Sequence, residues 1–325
     1  MHPIRYCRVD SEQAAIQAGH EAGAMFIAGG TSLIDVMKLE AVTPAALVDV
    51  TSLPLAMVER IQGGGVRVGA MVRNSDLAYH ELITSEYPLL SEALLSGASP
   101  QVRNMATVGG NLLQRTRCYY FRDPGSPCNK REAGSGCSAI AGQQRIHAIL
   151  GSSDRCIAVH PSDMCVALAA LDATVHSHGP RGERTTPFAD FHVVPGEHPE
   201  RESILEPGEL ITAIALPSRK GFVQSHYIKV RDRASFAFAL ASAAAVLRLE
   251  QGVIREARIA LGGVATKPWR ATESEAILVG SKPSAELYQR AAAAAVKRAH
   301  TYPHNSFKVE LIKRTIVRAL ESIRT

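Results

Sequence analysis

The chain has 325 residues, 46% of them hydrophobic and 21% charged, which is enough for two domains or one large one with a buried core. The net charge of +5 is spread along the sequence and only 5% of the residues are aromatic, so nucleic-acid binding is not indicated. No apolar run is long enough to span a membrane, and the first residues lack the apolar core of a signal peptide. We therefore expect no membrane span and no export signal on this chain.

The first predicted elements form a small lobe that ends near Thr51. A strand over 4–9 and a helix over 11–21 precede a short apolar strand at 25–28. A helix over 32–39 and a strand at 47–50 complete this lobe. Strands at 57–61 and 66–71 then flank three glycines, which predicts a hairpin. Helices are predicted at 75–80 and 88–96, the second with proline in its first turn.

Regular patterns resume after residue 157. A helix opens at Ser162 and runs to Leu171, and strands at 173–177, 184–187 and 209–216 follow. The segment 217–221 predicts a linker between domains. Beyond it, the patterns predict three antiparallel strands at 227–230, 239–249 and 253–262, and helices at 273–279, 284–300 and 305–323. The predicted fold class is α+β.

Two short loops each contain a glycine pair, Phe26-Ile27-Ala28-Gly29-Gly30-Thr31-Ser32-Leu33 and Ala106-Thr107-Val108-Gly109-Gly110-Asn111-Leu112. Adjacent glycines permit positive φ and close approach of a ligand, and Thr31 or Ser32 can cap a helix whose N-terminus suits an anion. The third glycine of the dinucleotide fingerprint is missing. Either loop alone also fits an ordinary strand-to-helix turn. Together, two such loops can hold the two phosphates of a dinucleotide.

A loop-rich insertion at 115–157 contains four cysteines, Cys118, Cys128, Cys137 and Cys156. Four thiolates suit zinc or an iron–sulfur cluster, but the spacing lacks both the zinc knuckle and the ferredoxin run. Spacing alone leaves a cluster, zinc and disulfide pairs equally open. Cys7 in a predicted strand and Cys165 in an apolar helix are interpreted as small hydrophobic residues.

The glycine loops, together with residues 229–237 and Leu261-Gly262-Gly263-Val264-Ala265, resemble the FAD-binding subunit of the xanthine dehydrogenase and molybdenum hydroxylase family. Within it, the chain resembles the medium subunit of bacterial periplasmic aldehyde oxidoreductases. The resemblance implies a two-lobed FAD-binding domain of the vanillyl-alcohol-oxidase type at 1–220, with lobes at about 1–52 and 53–220. Residues 221–325 are then a C-terminal domain with a three-stranded antiparallel sheet and a three-helix bundle.

The same resemblance implies a set of FAD-binding residues: Phe26, Ile27, Ala28, Gly29, Gly30, Thr31, Ser32, Leu33, Thr107, Gly110, Asn111, Asp163 and Lys229. Asp163 is expected to contact the flavin or its ribityl chain, although its position also fits simple helix capping. Lys229 is expected near the isoalloxazine ring, where a cation favours the anionic reduced flavin. The alternative for Lys229 is an exposed strand lysine.

The resemblance also covers the sequence around each insertion cysteine, and it implies that Cys118, Cys128, Cys137 and Cys156 bind an extra [4Fe–4S] cluster. Lys130 and Arg131 are expected to offset the negative charge of that cluster. His160, close to the fourth cysteine, is expected to have a structural role, because four thiolates complete the site.

The implied function is electron transfer within a heterotrimer. A large subunit with a molybdenum-pterin cofactor would oxidise an aldehyde, and a small subunit with two [2Fe–2S] clusters would pass electrons to FAD on this chain. The external acceptor would be O2, a quinone or a small redox protein. Alternatives are the flavin subunit of another molybdenum hydroxylase (acting on xanthine, CO, an aromatic N-heterocycle or an acyl-CoA), a stand-alone flavin oxidase, and a zinc-bound scaffold. The expected location is the periplasm if a partner carries an export signal, and otherwise the cytoplasm.

Overall fold

The first lobe is a small parallel sheet. The structure, a computed structural model, describes residues 3–218 and 224–323. The elements of this lobe are β1 (Arg5–Arg8), α1 (Glu12–Gly19), β2 (Ala24–Ile27), α2 (Leu33–Lys38) and β3 (Ala46–Asp49). The strand order is β1-β3-β2, with both pairs parallel. Every residue of the central β3 is buried, whereas every residue of the edge strand β1 is exposed. Cys7 on β1 is exposed too, so its interpretation as a packed hydrophobic residue is wrong.

The second lobe is built on a five-stranded antiparallel sheet with the order β4-β5-β8-β6-β7. Its strands are β4 (Val58–Arg60), β5 (Val66–Gly69), β6 (Thr174–Gly179), β7 (Gly182–Pro187) and β8 (Leu210–Leu216). Its helices are α3 (Asn74–Tyr79), α4 (Glu81–Glu86), α5 (Pro88–Ser96), α6 (Pro100–Arg103), α7 (Val108–Leu112), α10 (Asp163–Ala170) and α11 (Phe188–Phe191), while α8 (Tyr119–Arg122) and α9 (Ser138–Ala141) belong to the insertion.

Helix α4 was not predicted from the sequence. His80 adopts an extended conformation that ends α3, and its ring nitrogen Nδ1 accepts from the Leu82 amide at 3.3 Å to begin α4. A histidine cap of this kind has no strong sequence signature, since Ser, Thr, Asp and Asn are the usual N-caps. Helix α10, by contrast, is buried at every residue and packs against α5 and α7 in the centre of the molecule.

The C-terminal unit is an antiparallel sheet with helices packed on it. Its elements are β9 (Gln224–Val230), β10 (Ala241–Glu250), β11 (Val253–Gly262), β12 (Trp269–Arg270), α12 (Thr272–Leu278), α13 (Ala285–Ala295) and α14 (Phe307–Ser322). The sheet order is β12-β11-β10-β9, so a two-residue strand extends the three-stranded sheet that was predicted. A Cβ at Gly262 would lie 2.5 Å from Val166, so glycine lets β11 pack against α10. The predicted linker at 217–221 lies partly outside the described residues.

The fold prediction of α+β is confirmed, because separate layers of strands and helices bury several apolar cores. The largest core lies between the second lobe, α10 and the inner face of the C-terminal sheet. A second core lies between that sheet and its three helices. In the part of the chain described here, no helix combines the length and apolar character that crossing a membrane requires.

Candidate cofactor sites

The two glycine loops pack directly against each other. A Cβ on Gly29 would lie 1.9 Å from the Met105 carbonyl oxygen, so only glycine permits this contact. Gly30 has φ +68°, in the left-handed region that glycine adopts without strain. At Gly110, by contrast, the neighbour that a Cβ would meet among the described residues is the Thr107 hydroxyl oxygen at 3.1 Å. Gly29 therefore joins the loops, whereas Gly110 is crowded by one side-chain hydroxyl and not by backbone.

The backbone amides of the second loop are already used within the protein. The amide of Gly109 donates to Ala70 O at 2.8 Å, and that of Asn111 donates to Thr107 O at 2.8 Å. The amide of Gly110 donates to the Thr107 hydroxyl at 3.2 Å, which caps α7. This loop therefore offers a ligand a close surface and side chains rather than a row of free amides.

The first loop has a different hydrogen-bond pattern. The first hydrogen bond of helix α2 runs from the Ile34 amide to Gly30 O at 3.0 Å. The amides of the loop come before this bond in the sequence, so the helix itself does not use them. The capping prediction was wrong for Ser32, which occupies the N-cap position without a side-chain capping bond. Its hydroxyl accepts from the Arg115 amide at 3.4 Å instead. Ser32 thus ties this loop to the start of the insertion.

Two cavities flank the loops, with volumes of about 740 Å³ and 390 Å³. Both are in the size range of small-molecule sites. Each of the predicted FAD residues lines at least one of them. Thr31, Ser32, Gly110 and His160 line both cavities, so the two cavities adjoin at the loops. Adjoining cavities of this size fit a long dinucleotide whose phosphates lie at the loops.

Asp163 and Lys229 form a buried ion pair on the wall of the larger cavity, at a distance of 2.7 Å between Oδ2 and Nζ. The side chain of Lys229 is 3% exposed, so the alternative of a solvated strand lysine is wrong. Capping of α10 falls to Ser162, whose hydroxyl accepts from the Cys165 amide at 3.1 Å. The Asp163 carboxylate is therefore available for other partners.

Tyr227 is the second partner of Asp163, and its hydroxyl donates to Oδ1 at 2.6 Å. Burial and the Asp163 carboxylate hold the pKa of Tyr227 well above its ordinary value, so the hydroxyl keeps its proton. The sequence analysis did not single out Tyr227. Its position two residues before Lys229 on β9, and hence on the same face of the strand, was the available signal.

The four insertion cysteines line one small cavity, together with Lys130. All are free thiols, and Cys128 and Cys137 pair through an isolated antiparallel bridge. Burial raises the pKa of Cys118 to about 12 and that of Cys156 to about 11. Such thiols become thiolates only when a cation replaces the proton, which is the chemistry of a metal site.

The separation of the sulfur atoms distinguishes between kinds of metal site. Four thiolates bound to one zinc ion at about 2.3 Å lie within about 4 Å of one another. The four cysteines are not among the described groups whose ligand atoms all lie within 4.8 Å of one another. Ligands to different irons of a cluster are further apart, so this arrangement fits a polynuclear cluster better than a zinc ion.

The cysteine cavity and the larger cavity share a wall at Cys118. His147 lines the larger cavity, and its Nε2 lies 3.1 Å from Cys118 Sγ. Arg117 and Arg122, on either side of Cys118 in sequence, both bind the Asp35 carboxylate of α2. The hydrogen bond from Arg122, and to a smaller extent that from Arg117, lowers the pKa of the Asp35 carboxyl group below its usual value. These contacts attach the insertion to the helix of the first glycine loop.

Lys130 and Arg131 have different roles in the structure. Lys130 lines the cysteine cavity and forms an ion pair with Glu202 at 3.0 Å. Although burial opposes ionisation of Glu202, Lys130 and Arg115 lower its pKa below the usual range. Arg131 donates to backbone carbonyls of the insertion: Tyr120, Phe121, Pro124 and Ser126. Lys130 can therefore offset charge in the cavity, while Arg131 holds the surrounding loop.

His160, Cys165 and His192 bring their potential ligand atoms within 4.8 Å of one another. His192 Nε2 bonds the Leu112 carbonyl at 2.9 Å, and His160 Nδ1 accepts from the Ser162 amide at 3.4 Å. His160 therefore carries its proton on Nε2, which removes that lone pair from metal binding. Burial raises the pKa of Cys165 to about 12. We therefore assign all three residues a structural role.

Comparison with known families bears on the flavin site. A family model described as the FAD binding domain in molybdopterin dehydrogenase matches residues 2–219, and one described as the CO dehydrogenase flavoprotein C-terminal domain matches 226–323. The chain belongs to the family of FAD-binding subunits of molybdenum hydroxylases. This flavin subunit is therefore part of an oxidoreductase, and the prediction that it binds FAD is confirmed at the level of the family.

The relatives of this flavin subunit include enzymes with different substrates. It is 49% identical to the aldehyde oxidoreductase FAD-binding subunit PaoB of Escherichia coli K12, over 100% of this chain and 99% of that one. It is 29% identical to the glyceraldehyde dehydrogenase medium chain of Sulfolobus acidocaldarius, over 88% and 85% of the two chains. A solved carbon monoxide dehydrogenase from Hydrogenophaga pseudoflava aligns with a TM-score of 0.78 and 26% identity, over 99% and 98% of the chains.

Proposed function

We propose that this protein is the electron-transfer subunit of a molybdenum-containing aldehyde oxidoreductase, and that it binds FAD and one [4Fe–4S] cluster. The observation that carries the aldehyde assignment is the 49% identity to an aldehyde oxidoreductase flavin subunit over the whole chain. The more distant relatives, near 28% identity, include subunits of enzymes that act on carbon monoxide and nicotine. The difference in identity favours an aldehyde over those substrates.

The residues that would hold FAD are those that line the two adjoining cavities. The surface at Gly110 would receive phosphate, and the first-loop amides that precede α2 would donate to it. The buried Asp163–Lys229 pair would lie beside the flavin, where Asp163 would hold the Lys229 ammonium group in place. Bound FAD would supply the ability to take up electron pairs and release them one or two at a time.

The residues that would hold the cluster are Cys118, Cys128, Cys137 and Cys156. Their common cavity and the spread of their sulfur atoms beyond single-ion distances support this assignment. A bound cluster would supply one-electron capacity close to the larger cavity, which Cys118 also lines. Lys130 lines the cysteine cavity and would contribute positive charge there.

The proposed partners are a small subunit with two [2Fe–2S] clusters and a large subunit with the molybdenum-pterin cofactor, in a heterotrimer. The final electron acceptor is proposed to be O2, a quinone or a small redox protein. If a partner carries a twin-arginine signal, the folded complex would be exported to the periplasm with this chain. Fractionation of cells that produce all three chains would test the location. Retention in the cytoplasm despite such a signal would contradict export.

The test of the whole proposal is purification of the native complex, followed by protein, flavin and metal quantification. The expected result is three co-purifying chains, one FAD for each copy of this chain, and about four irons beyond those of the small subunit. Aldehyde should reduce the flavin in the visible spectrum. A chain that purifies alone from its native cells, or one that contains zinc in place of iron, would overturn the proposal.

A further inference from the structure

The imidazole of His147 makes a side-chain contact with one of the proposed cluster ligands. Its Nε2 lies 3.1 Å from Cys118 Sγ, within range of a hydrogen bond to sulfur, and the residue is 1% exposed. The other ring nitrogen, Nδ1, is buried and has no hydrogen-bond partner among the described residues. A proton on Nδ1 would therefore be a buried and unsatisfied donor, whereas a proton on Nε2 would face sulfur.

The position of His147 is fixed from the C-terminal part of the chain. The side chain of Asn305 donates to the Ala148 carbonyl at 3.2 Å, and His304 bonds the side chain of Gln144 at 2.8 Å. Asn305 is fully buried, and the His147 amide itself donates to Gln144 O at 2.8 Å. The segment that carries His147 is thus held against the sequence just before α14, so its ring has little freedom to leave Cys118.

Among the four cysteines, Cys118 is the one that lines both the cysteine cavity and the larger cavity. His147 lines the larger cavity as well. Elsewhere in the cysteine set, the Ala158 amide donates to Cys156 Sγ at 3.4 Å, but that donor is backbone. In the described part of the chain, Cys118 is the proposed ligand with a side-chain nitrogen at hydrogen-bond distance from its sulfur. The contact therefore acts at the cysteine that lines both cavities.

We propose that His147 is a positioning residue that donates a hydrogen bond from Nε2 to Cys118 Sγ and thereby raises the reduction potential of the cluster. This inference rests on the proposed function, because it requires a cluster at the four cysteines. An N–H···S bond stabilises the more negative, reduced cluster more than the oxidised one, and such bonds are among the factors that set iron–sulfur potentials. The cluster would therefore accept an electron more readily than it would without this bond.

The experiment is a redox titration of the purified complex, followed by electron paramagnetic resonance of the reduced cluster. In His147→Leu, the midpoint potential should move to a more negative value while the iron content stays at the wild-type level. In His147→Gln, where an amide N–H can replace the imidazole donor, most of the shift should be absent. The control His178→Leu removes a histidine that bonds Glu12, away from the insertion and from the segment that holds His147, and its midpoint should stay at the wild-type value.

A measurement on the wild-type protein tests the same hydrogen bond without relying on variants that could fail to fold. Wild-type complex labelled with ¹⁵N-histidine should show nitrogen coupling to the reduced cluster in electron–nuclear double resonance. Absence of that coupling, or an unchanged midpoint in His147→Leu with a full complement of iron, would overturn the inference and leave the proposed function intact. A wild-type complex without a four-iron signal would instead refute the proposed function itself.

Discussion

The flavin loops and the cysteine insertion are neighbours that are stabilised in different ways. The second loop contributes Val108 and Leu112 to the largest apolar core, the first loop packs Phe26 and Ala28 on a smaller one, and their contact at Gly29 is backbone against backbone. The insertion has only two one-turn helices, and its small core includes three of the buried cysteines themselves. Apolar packing therefore shapes the flavin site, whereas the insertion would also depend on the cluster proposed for its cysteines.

The comparison shows why the two sites should respond differently to loss of a cofactor. Apolar burial stabilises the loops whether or not FAD is present, so an apo-flavin protein should keep its fold. In the insertion, binding of the proposed cluster would be coupled to local folding, because few apolar side chains compensate for the entropy of ordering a long loop. The predictions below test that difference, beginning with the largest expected effect.

Cys128→Ser should remove the cluster and the order of the insertion together. We expect loss of about four irons for each copy of the chain and faster proteolysis within 115–157, with FAD retained. The same loss is expected at Cys118, Cys137 and Cys156. Cys7→Ser and Cys165→Ser are the controls and should keep their iron. Unchanged iron in Cys128→Ser would end the cluster assignment, and loss of FAD with the iron would abolish the contrast between the two sites.

Lys229→Met should destabilise the flavin half strongly, because it leaves the Asp163 carboxylate buried without its cation. Removal of one partner of a buried ion pair costs about 3–5 kcal/mol in the free energy of unfolding. The control is the double variant Asp163→Asn with Lys229→Met, which removes both charges and should be less destabilised than the single variant. Denaturant titrations of the apo-flavin protein measure both. Equal costs would show that the charge of Asp163 does not contribute.

The two glycines should separate packing from ligand binding. Gly29→Val places a side chain against the Met105 carbonyl and should lower the free energy of unfolding by about 1–3 kcal/mol or more. Gly110→Val crowds the Thr107 hydroxyl that caps α7 but no backbone atom, so its apoprotein should lose about 1 kcal/mol or less. Flavin affinity in Gly110→Val should fall at least about tenfold. Full flavin occupancy in Gly110→Val would refute the assignment of this surface to phosphate.

Mild acid should lower the free energy of unfolding through His192, which bonds the Leu112 carbonyl of the second glycine loop. Burial lowers the pKa of His192 from 6.5 to about 4, so the unfolded chain binds the proton first as the pH falls below 6.5. His192 should therefore account for a loss of about 2 kcal/mol in the free energy of unfolding between pH 7 and pH 5. In His192→Gln, this part of the pH dependence should disappear, as denaturant titrations at both pH values will show. A slope identical to wild type would contradict it.

Much of the fold was predictable because its signals are local. The two glycine loops, the helix that opens at Ser162, the predicted hairpin of β4 and β5 and the three C-terminal helices follow from turn residues and periodicity. The misses have physical causes as well. Helix α4 depends on a histidine cap, the edge position of β1 exposes Cys7, and β12 is too short for a pattern.

The sequence by itself indicated the glycine loops and the four insertion cysteines, because glycine pairs and clustered cysteines are uncommon residue choices with specific chemistry. Only the tertiary structure showed their contacts and the neighbours that the sequence analysis missed. It assigned Gly29 to loop packing, placed the Thr107 hydroxyl beside Gly110, buried Lys229 with Asp163, and brought His147 to Cys118. These outcomes depend on contacts between segments far apart in the chain. Such contacts are fixed by packing and by the pairing of buried polar groups, neither of which leaves a periodic signal in the sequence.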